Sequence, residues 1–177
     1  DTTLAQIVPL LETAFGNWQP VAGTAAGTKQ FHHVAAPASA RIVLIDRPGA
    51  PQSLILGGKV LGVTGRDGNG TATFPLVAAN ELLGGLSTSR LNLNIRETKG
   101  WAYGVQSLAS LVQQQLPFLM FAPVQTDRTA DALAAIAADM AAFGTTRPID
   151  SAERNKVVEN GVRSLPGEFE NAGSVLT

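Results

Sequence analysis

Hydrophobic residues at helical spacing predict a helix near each end of the chain. Near the start, Leu4, Ile7, Val8, Leu11 and Phe15 recur every three or four residues. Gly16 follows this pattern as a stop, and Thr2 or Thr3 can cap its beginning. Towards the end, an alanine-rich helical pattern covers residues 126–143 and a further one covers residues 149–164.

The middle of the chain mixes extended and helical patterns. Strand composition is found in residues 41–46, 52–61, 101–108 and 117–124, and helical patterns in residues 74–83 and 87–97. Residues 113–115 are predicted to connect the last two strands as a hairpin. Because strands and helices do not alternate strictly, we predict an α+β fold in which a largely antiparallel sheet packs against helices in two layers. No domain-sized linker interrupts the pattern, which predicts a single domain over residues 1–177.

Composition narrows the possible functions. Thirteen basic and 14 acidic residues give a net charge of −1, so no nucleic-acid partner is expected. The absence of cysteine excludes disulfides, thiol nucleophiles and Cys-ligated metals. No apolar stretch reaches the roughly 20 residues of a membrane span. Charged residues make up 15% of the chain, so either the many alanines raise its apolar fraction or other domains cover part of its surface.

Most familiar catalytic and metal motifs are missing. His32 and His33 are the two histidines, and adjacent residues on a strand point to opposite faces, so we predict no metal site in this chain. No Gly-x-Ser-x-Gly motif supports a serine hydrolase. The glycine-rich residues 57–59 and 65–70 lack phosphate-loop spacing and are interpreted as turns, and the latter also lack the ligands of a calcium loop. Asp131 and Asp139 are interpreted as solvated charges on a helix.

The densest group of polar and aromatic side chains lies in residues 87–103. Leu91 and Ile95 are four residues apart and are predicted to face the core, which turns Arg96 to another face. Gly100 allows a sharp reversal, after which alternation predicts that Trp101, Tyr103 and Val105 share one face of the sheet.

Arg96 and Tyr103 could then converge as hydrogen-bond donors, suited to a backbone carbonyl or a developing oxyanion. A purely structural interpretation is also open. In it, Arg96 offsets the helix dipole and pairs with Glu97 or Glu81, while the Tyr103 hydroxyl caps a loop.

The chain resembles the second domain of the pitrilysin, insulinase and mitochondrial-processing-peptidase family of inverted-zincin zinc metallopeptidases. The resemblance is carried by residues 82–91 (LLGGLSTSRL), 94–103 (NIRETKGWAY), 15–18 (FGNW), 45–53 (IDRPGAPQS) and 164–170 (SLPGEFE). It is strongest to the long bacterial members. In that family one half binds zinc through His-x-x-Glu-His, and the other contributes an Arg and a Tyr with six residues between them. These positions are Arg96 and Tyr103 here.

The resemblance implies a substrate-binding domain that holds a peptide and is inactive alone. It implies no cofactor in this chain, and zinc in a partner domain that lies either in the same polypeptide or in a partner subunit. The alternative is a catalytically retired scaffold or assembly domain of the same family. The resemblance further implies that the fragment is truncated at both ends, and that it is located in the bacterial periplasm, since long bacterial members are often exported.

Overall fold

A computed structural model describes residues 2–23, 27–65, 73–171 and 173, and divides the chain into two compact units, residues 1–32 and 33–177. The first unit contains helix α1, Leu4–Phe15, as its apolar spacing predicts. Gln6 accepts a hydrogen bond from the Thr3 backbone N–H at 2.9 Å at the start of the helix. Pro9 interrupts the helical ladder, and the Thr13 hydroxyl donates to the Pro9 carbonyl at 2.8 Å.

The second unit is built on a three-stranded antiparallel sheet. Its strands are β1 (Gln52–Thr64), β2 (Gln106–Ala109) and β3 (Gln115–Gln125), in the order β1-β3-β2. The hairpin is confirmed, because β2 and β3 are consecutive antiparallel neighbours, but its connection is residues 110–114 and Gln115 already belongs to β3. Together with the helices, this sheet confirms the predicted α+β class.

Two predictions about extended segments are wrong. Residues 41–46 contain no strand, and Ile42 and Leu44 are 84% and 89% exposed. β-branched composition favours a strand only where a partner strand receives its hydrogen bonds, and the described part of the chain supplies none here. Gly57 and Lys59, interpreted as part of a turn, lie within β1. A Cβ on Gly57 would stand 3.1 Å from Met120 Cε, so the glycine permits close cross-strand packing.

The helices flank this sheet in the chain. They are α2 (Thr73–Asn80), a π-helical turn (Glu81–Gly85), a π-helix (Asn92–Thr98), a 3₁₀ turn (Thr126–Arg128), α3 (Thr129–Phe143) and α4 (Ser151–Glu168). Two ends differ from the prediction. The pair Gly84 and Gly85 lies inside the π-helical turn, and α4 continues through Pro166. Asp150 caps α4, since its carboxylate accepts from the Glu153 backbone N–H at 2.8 Å.

The core lies between one face of the sheet and the helices. Its buried residues are Leu83, Leu91, Ile95, Val105, Met120, Ala122, Val124, Ala132 and Ile136. Leu91 and Ile95 are both fully buried, which confirms their predicted direction. Paired residues of antiparallel strands share a face, so Ile55 faces the core beside its partner Ala122. The neighbouring Leu54 lies on the opposite face of the sheet and is 62% exposed.

The two helical carboxylates have different environments. Asp131 is exposed and pairs with Arg128 at 3.6 Å, as expected for a solvated charge. Asp139 contradicts that interpretation, because its side chain is only 11% exposed. It accepts a hydrogen bond from Asn94 Nδ2 at 2.6 Å and pairs with Arg147 at 3.7 Å. Asp139 therefore joins α3 to the π-helix.

Candidate functional site: a groove beside a β-bulge

A β-bulge precedes β2 and decides where Tyr103 points. Ala102 is bridged to Val124, and Gln106 is paired with Phe121. Residues 103–105 therefore stand opposite only residues 122 and 123, so this side has one residue more. Such an extra residue resets the alternation of side chains and re-aims one of them.

Tyr103 consequently lies on the open side of the sheet. Val105 is 2% exposed and Trp101 packs against the core, whereas Tyr103 is 87% exposed. The prediction that these three residues share one face is therefore wrong. Regular alternation does not hold across the bulge.

A buried amide closes the inner side of the bulge. Asn92, which is 6% exposed, accepts a hydrogen bond from the Val105 N–H at 2.9 Å and donates to the Val105 carbonyl at 2.7 Å. It also donates to the Leu86 carbonyl and to Ser89 Oγ, each at 3.1 Å. Sequence reasoning missed Asn92. The available signal was a polar residue next to Leu91 in the segment predicted to pack on the core.

Arg96 lies near the end of the π-helix and reaches towards Tyr103. The Arg96 Cζ atom is 5.6 Å from the centroid of the Tyr103 ring, within the range of a cation–π contact. The guanidinium also pairs with Glu97 at 3.4 Å, but both side chains are at least 40% exposed. An ion pair in such contact with water contributes little. The Tyr103 hydroxyl makes no hydrogen bond within the described residues.

A groove of about 570 Å³ runs past these two side chains. It is lined by Leu54, Gly84, Gly85, Leu86, Ser87, Asn92, Arg96, Tyr103, Gly104, Val105, Gln106, Phe121 and Pro123. The described lining includes one cation, Arg96, and no carboxylate. Its outer sheet face carries apolar Leu54, Phe121 and Pro123. The groove therefore offers hydrogen-bond donors beside an apolar surface, a combination suited to a peptide carbonyl and a neighbouring apolar side chain.

The described residues do not fit a zinc site. They contain no group of three His, Cys, Asp or Glu side chains close enough to hold a metal ion. His33 contacts the side-chain amide of Gln115 at 3.3 Å. No helix in the described ranges is long and apolar enough to cross a membrane.

The sequence profile described as "Peptidase M16 inactive domain" matches residues 1–160. The chain belongs to this family. The resemblance stated above is therefore confirmed, and the chain is a non-catalytic domain of the M16 metallopeptidase family. No curated protein matches this M16 inactive domain.

Solved structures share the fold of this M16 domain. A protease from Helicobacter pylori matches with a TM-score of 0.81 and 20% identity over 99% of the chain and 41% of that protein. A peptidase M16 inactive domain from Pseudomonas fluorescens has a TM-score of 0.55 and 24% identity over 70% of the chain and 28% of that protein. A conserved protein from Enterococcus faecalis V583 has a TM-score of 0.61 and 20% identity over 72% of the chain and 28% of that protein. The M16 domain thus spans less than half the length of each.

Proposed function

We propose that this M16 domain holds a peptide substrate through Arg96 and Tyr103, near a scissile bond that a zinc site in another domain cuts. The observation that carries the proposal is the shared groove, with the Arg96 guanidinium 5.6 Å from the Tyr103 ring. The partner domain lies either in the same polypeptide or in a partner subunit. By itself the domain binds and does not cut.

The two side chains supply complementary donors. The guanidinium has five N–H donors, and the phenol has one O–H donor that no described residue occupies. Both can bond to carbonyl oxygens of an extended peptide. A bond that shortens as negative charge develops on the oxygen stabilises the transition state more than the bound substrate, and this difference accelerates the reaction.

Replacing Arg96 tests the proposal in the intact protease. We expect Arg96→Ala to lower kcat/KM for a peptide substrate by roughly tenfold to a hundredfold, because a hydrogen bond to a charged group contributes about 1.5–3 kcal/mol. Arg128→Ala is the matched control. Arg128 is also a partly exposed arginine with acidic neighbours, and it is not among the lining residues of the groove.

Replacing Tyr103 removes one hydroxyl and keeps the ring. We expect Tyr103→Phe to lower kcat/KM by about threefold to tenfold, as befits one hydrogen bond from a neutral donor. The Phe ring retains its contact with Arg96, so the loss reports on the hydroxyl alone. Unchanged kinetics in both the Arg96 and Tyr103 variants would remove the substrate-binding role.

The second candidate is a scaffold or assembly domain. Its support is the exposed apolar side of the sheet, where Leu54 and Leu56 are 62% and 61% exposed, respectively. Permanent packing against neighbouring domains would cover such residues. The two candidate functions differ in whether the partner domain carries a zinc-binding motif. A His-x-x-Glu-His motif elsewhere in the polypeptide, or in a co-purifying subunit, favours the peptidase, and absence of the motif from both favours the scaffold.

A further inference from the structure

We infer that Asn92 is a positioning residue of the proposed peptide site. It holds the β-bulge that presents Tyr103 to the groove, in register with Arg96. This inference rests on the proposed function. It adds a residue that acts through its neighbours, since the side-chain oxygen and nitrogen of Asn92 are already bonded within the chain.

The hydrogen bonds of Asn92 satisfy backbone groups at the edge of the sheet. β2 is an edge strand, so the backbone groups that point away from β3 have no neighbouring strand among the described residues. Val105 directly precedes β2, and the Asn92 amide both accepts from its N–H at 2.9 Å and donates to its carbonyl at 2.7 Å. The side chain thus bonds with Val105 in the same way as an adjacent strand. Buried backbone groups require such partners.

The opposite strand explains why the bulge lies at this point. Pro123 of β3 stands across from residues 103–105 and has no N–H to donate. β3 is the central strand of the sheet, where a proline normally costs a ladder hydrogen bond. The bulge places Pro123 opposite residues 103–105, which do not form regular ladder pairs with β3.

Asn92 also joins the other walls of the groove. Its bonds to the Leu86 carbonyl and Ser89 Oγ hold the segment that follows the glycine pair. It is the first residue of the π-helix, and Arg96 lies four residues later. The buried amide of Asn92 therefore connects three parts of the groove lining: the segment after Gly84 and Gly85, the helix that carries Arg96, and the bulge that carries Tyr103. A π-helix has a different rise from an α-helix and is found frequently at functional sites.

A double-mutant cycle in the intact protease tests the inference. We expect Asn92→Ala to lower kcat/KM by roughly tenfold or more, because displacing a binding group by about 1 Å can cost about a hundredfold. In a Tyr103→Phe background the same substitution should cost about threefold or less, since the hydroxyl that it mispositions is already gone. Where Tyr103→Phe by itself lowers kcat/KM, equal losses in the two backgrounds would overturn the inference.

Asn80→Ala is the matched control. Asn80 is 8% exposed, donates to the Ser107 carbonyl at 3.1 Å and accepts from the Ser107 hydroxyl at 2.8 Å. Its side-chain hydrogen bonds within the described residues include none to residues 103–105. Both variants lose a buried amide. Only Asn92→Ala should be non-additive with Tyr103→Phe, which separates positioning from a general loss of stability.

Asn92→Asp supplies a pH readout that lost stability alone does not produce. An ionised carboxylate accepts from the Val105 N–H but cannot donate to the carbonyls of Val105 and Leu86, whereas a protonated carboxyl has one donor. We expect the kcat/KM of this variant, divided by that of the unmodified protease, to rise as the pH falls. A ratio that stays flat or falls would contradict the proposed donor role.

A crystal structure of the Asn92→Ala protease distinguishes the inference from the proposed function. If Tyr103→Phe has no kinetic effect, the proposed function of the hydroxyl fails. The positioning role is then decided by the distance between Arg96 Cζ and the Tyr103 ring. A displaced Tyr103 supports it, and retention of the 5.6 Å contact overturns it.

Discussion

Gly84→Ala is expected to lower the local free energy of unfolding by about 3 kcal/mol, at the upper end of the usual overpacking cost. A Cβ at this position would stand 2.5 Å from Ser107 Oγ and 2.9 Å from the Ser107 backbone nitrogen. Rotation of the hydroxyl relieves only the first contact, so the π-helical turn or β2 must move. Hydrogen–deuterium exchange of the intact protein, followed in peptides from both segments, measures the loss.

Gly161→Ala provides the control for that substitution. Gly161 lies inside α4, and a Cβ there would meet nothing within 4 Å. Alanine stabilises an open helical position by about 0.5–1 kcal/mol over glycine. The same chemical change should therefore have opposite signs at the two sites. Ser107→Gly removes the Oγ contact and a further contact with Ser107 Cβ at 2.9 Å, so it should recover part of the Gly84→Ala loss. Undiminished protection of the π-helical turn and β2 in the Gly84→Ala protein would disprove the steric argument.

The elements predicted well are those whose signal is local. The spacing of apolar residues located α1, and the alanine-rich composition located α3, in which the buried Ala132 and Ile136 are four residues apart. The same spacing placed Leu91 and Ile95 in the core. The candidate pair Arg96 and Tyr103 came from a resemblance and from local polarity, and the structure places both on one groove.

The features predicted badly depend on residues that are distant in the sequence. The direction of Tyr103 depends on a bulge opposite Pro123, and the alternation of a single strand cannot reveal an extra residue in its pairing. The side chain of Asp139 is only 11% exposed and is bonded to Asn94, which lies 45 residues earlier. Residues 41–46 have the composition of a strand, yet composition does not specify a partner. The glycine loop at residues 66–70 lies outside the described part of the chain.

Arg90→Ala is the second substitution with a large expected effect, and it should release the start of α4. Arg90 donates to both carboxylate oxygens of Glu153, at 2.7 and 2.6 Å, and to the carbonyls of Arg147 and Pro148. Its guanidinium also lies 4.9 Å from the centroid of the Phe143 ring. The Arg90 side chain is 11% exposed and that of Glu153 25%, so water screens the pair only partly. We expect a loss of about 2 kcal/mol, since bonds to charged groups contribute about 1.5–3 kcal/mol each and are not additive.

Protection of α4 amides against exchange measures that loss, and Arg163→Ala is the control. Arg163 is 80% exposed and pairs with Glu159 within the helix, so its removal should change the stability by only a few tenths of a kcal/mol. Arg90→Lys should recover less than half of the loss, because an ammonium cannot make the two parallel bonds of a guanidinium. Equal protection in Arg90→Ala and the unmodified protein would contradict a role for the pair.

The pH dependence of α4 stability gives the same pair an independent test. The hydrogen bonds from Arg90 lower the pKa of the Glu153 carboxyl below its ordinary value. The hydrogen bond from the Asp150 backbone N–H to the same carboxyl acts in the same direction. A carboxyl with a lowered pKa in the folded state stabilises that state above its unfolded pKa, and this contribution disappears as the pH falls through the lowered value.

Protection of α4, corrected for the intrinsic exchange rate, should therefore decrease on acidification in the unmodified protein. The decrease should be smaller in Arg90→Ala, which removes the main cause of the lowered Glu153 pKa, and in Glu153→Gln, which removes the titrating carboxyl. A decrease of the same size in all three proteins would assign the acid sensitivity to other carboxylates.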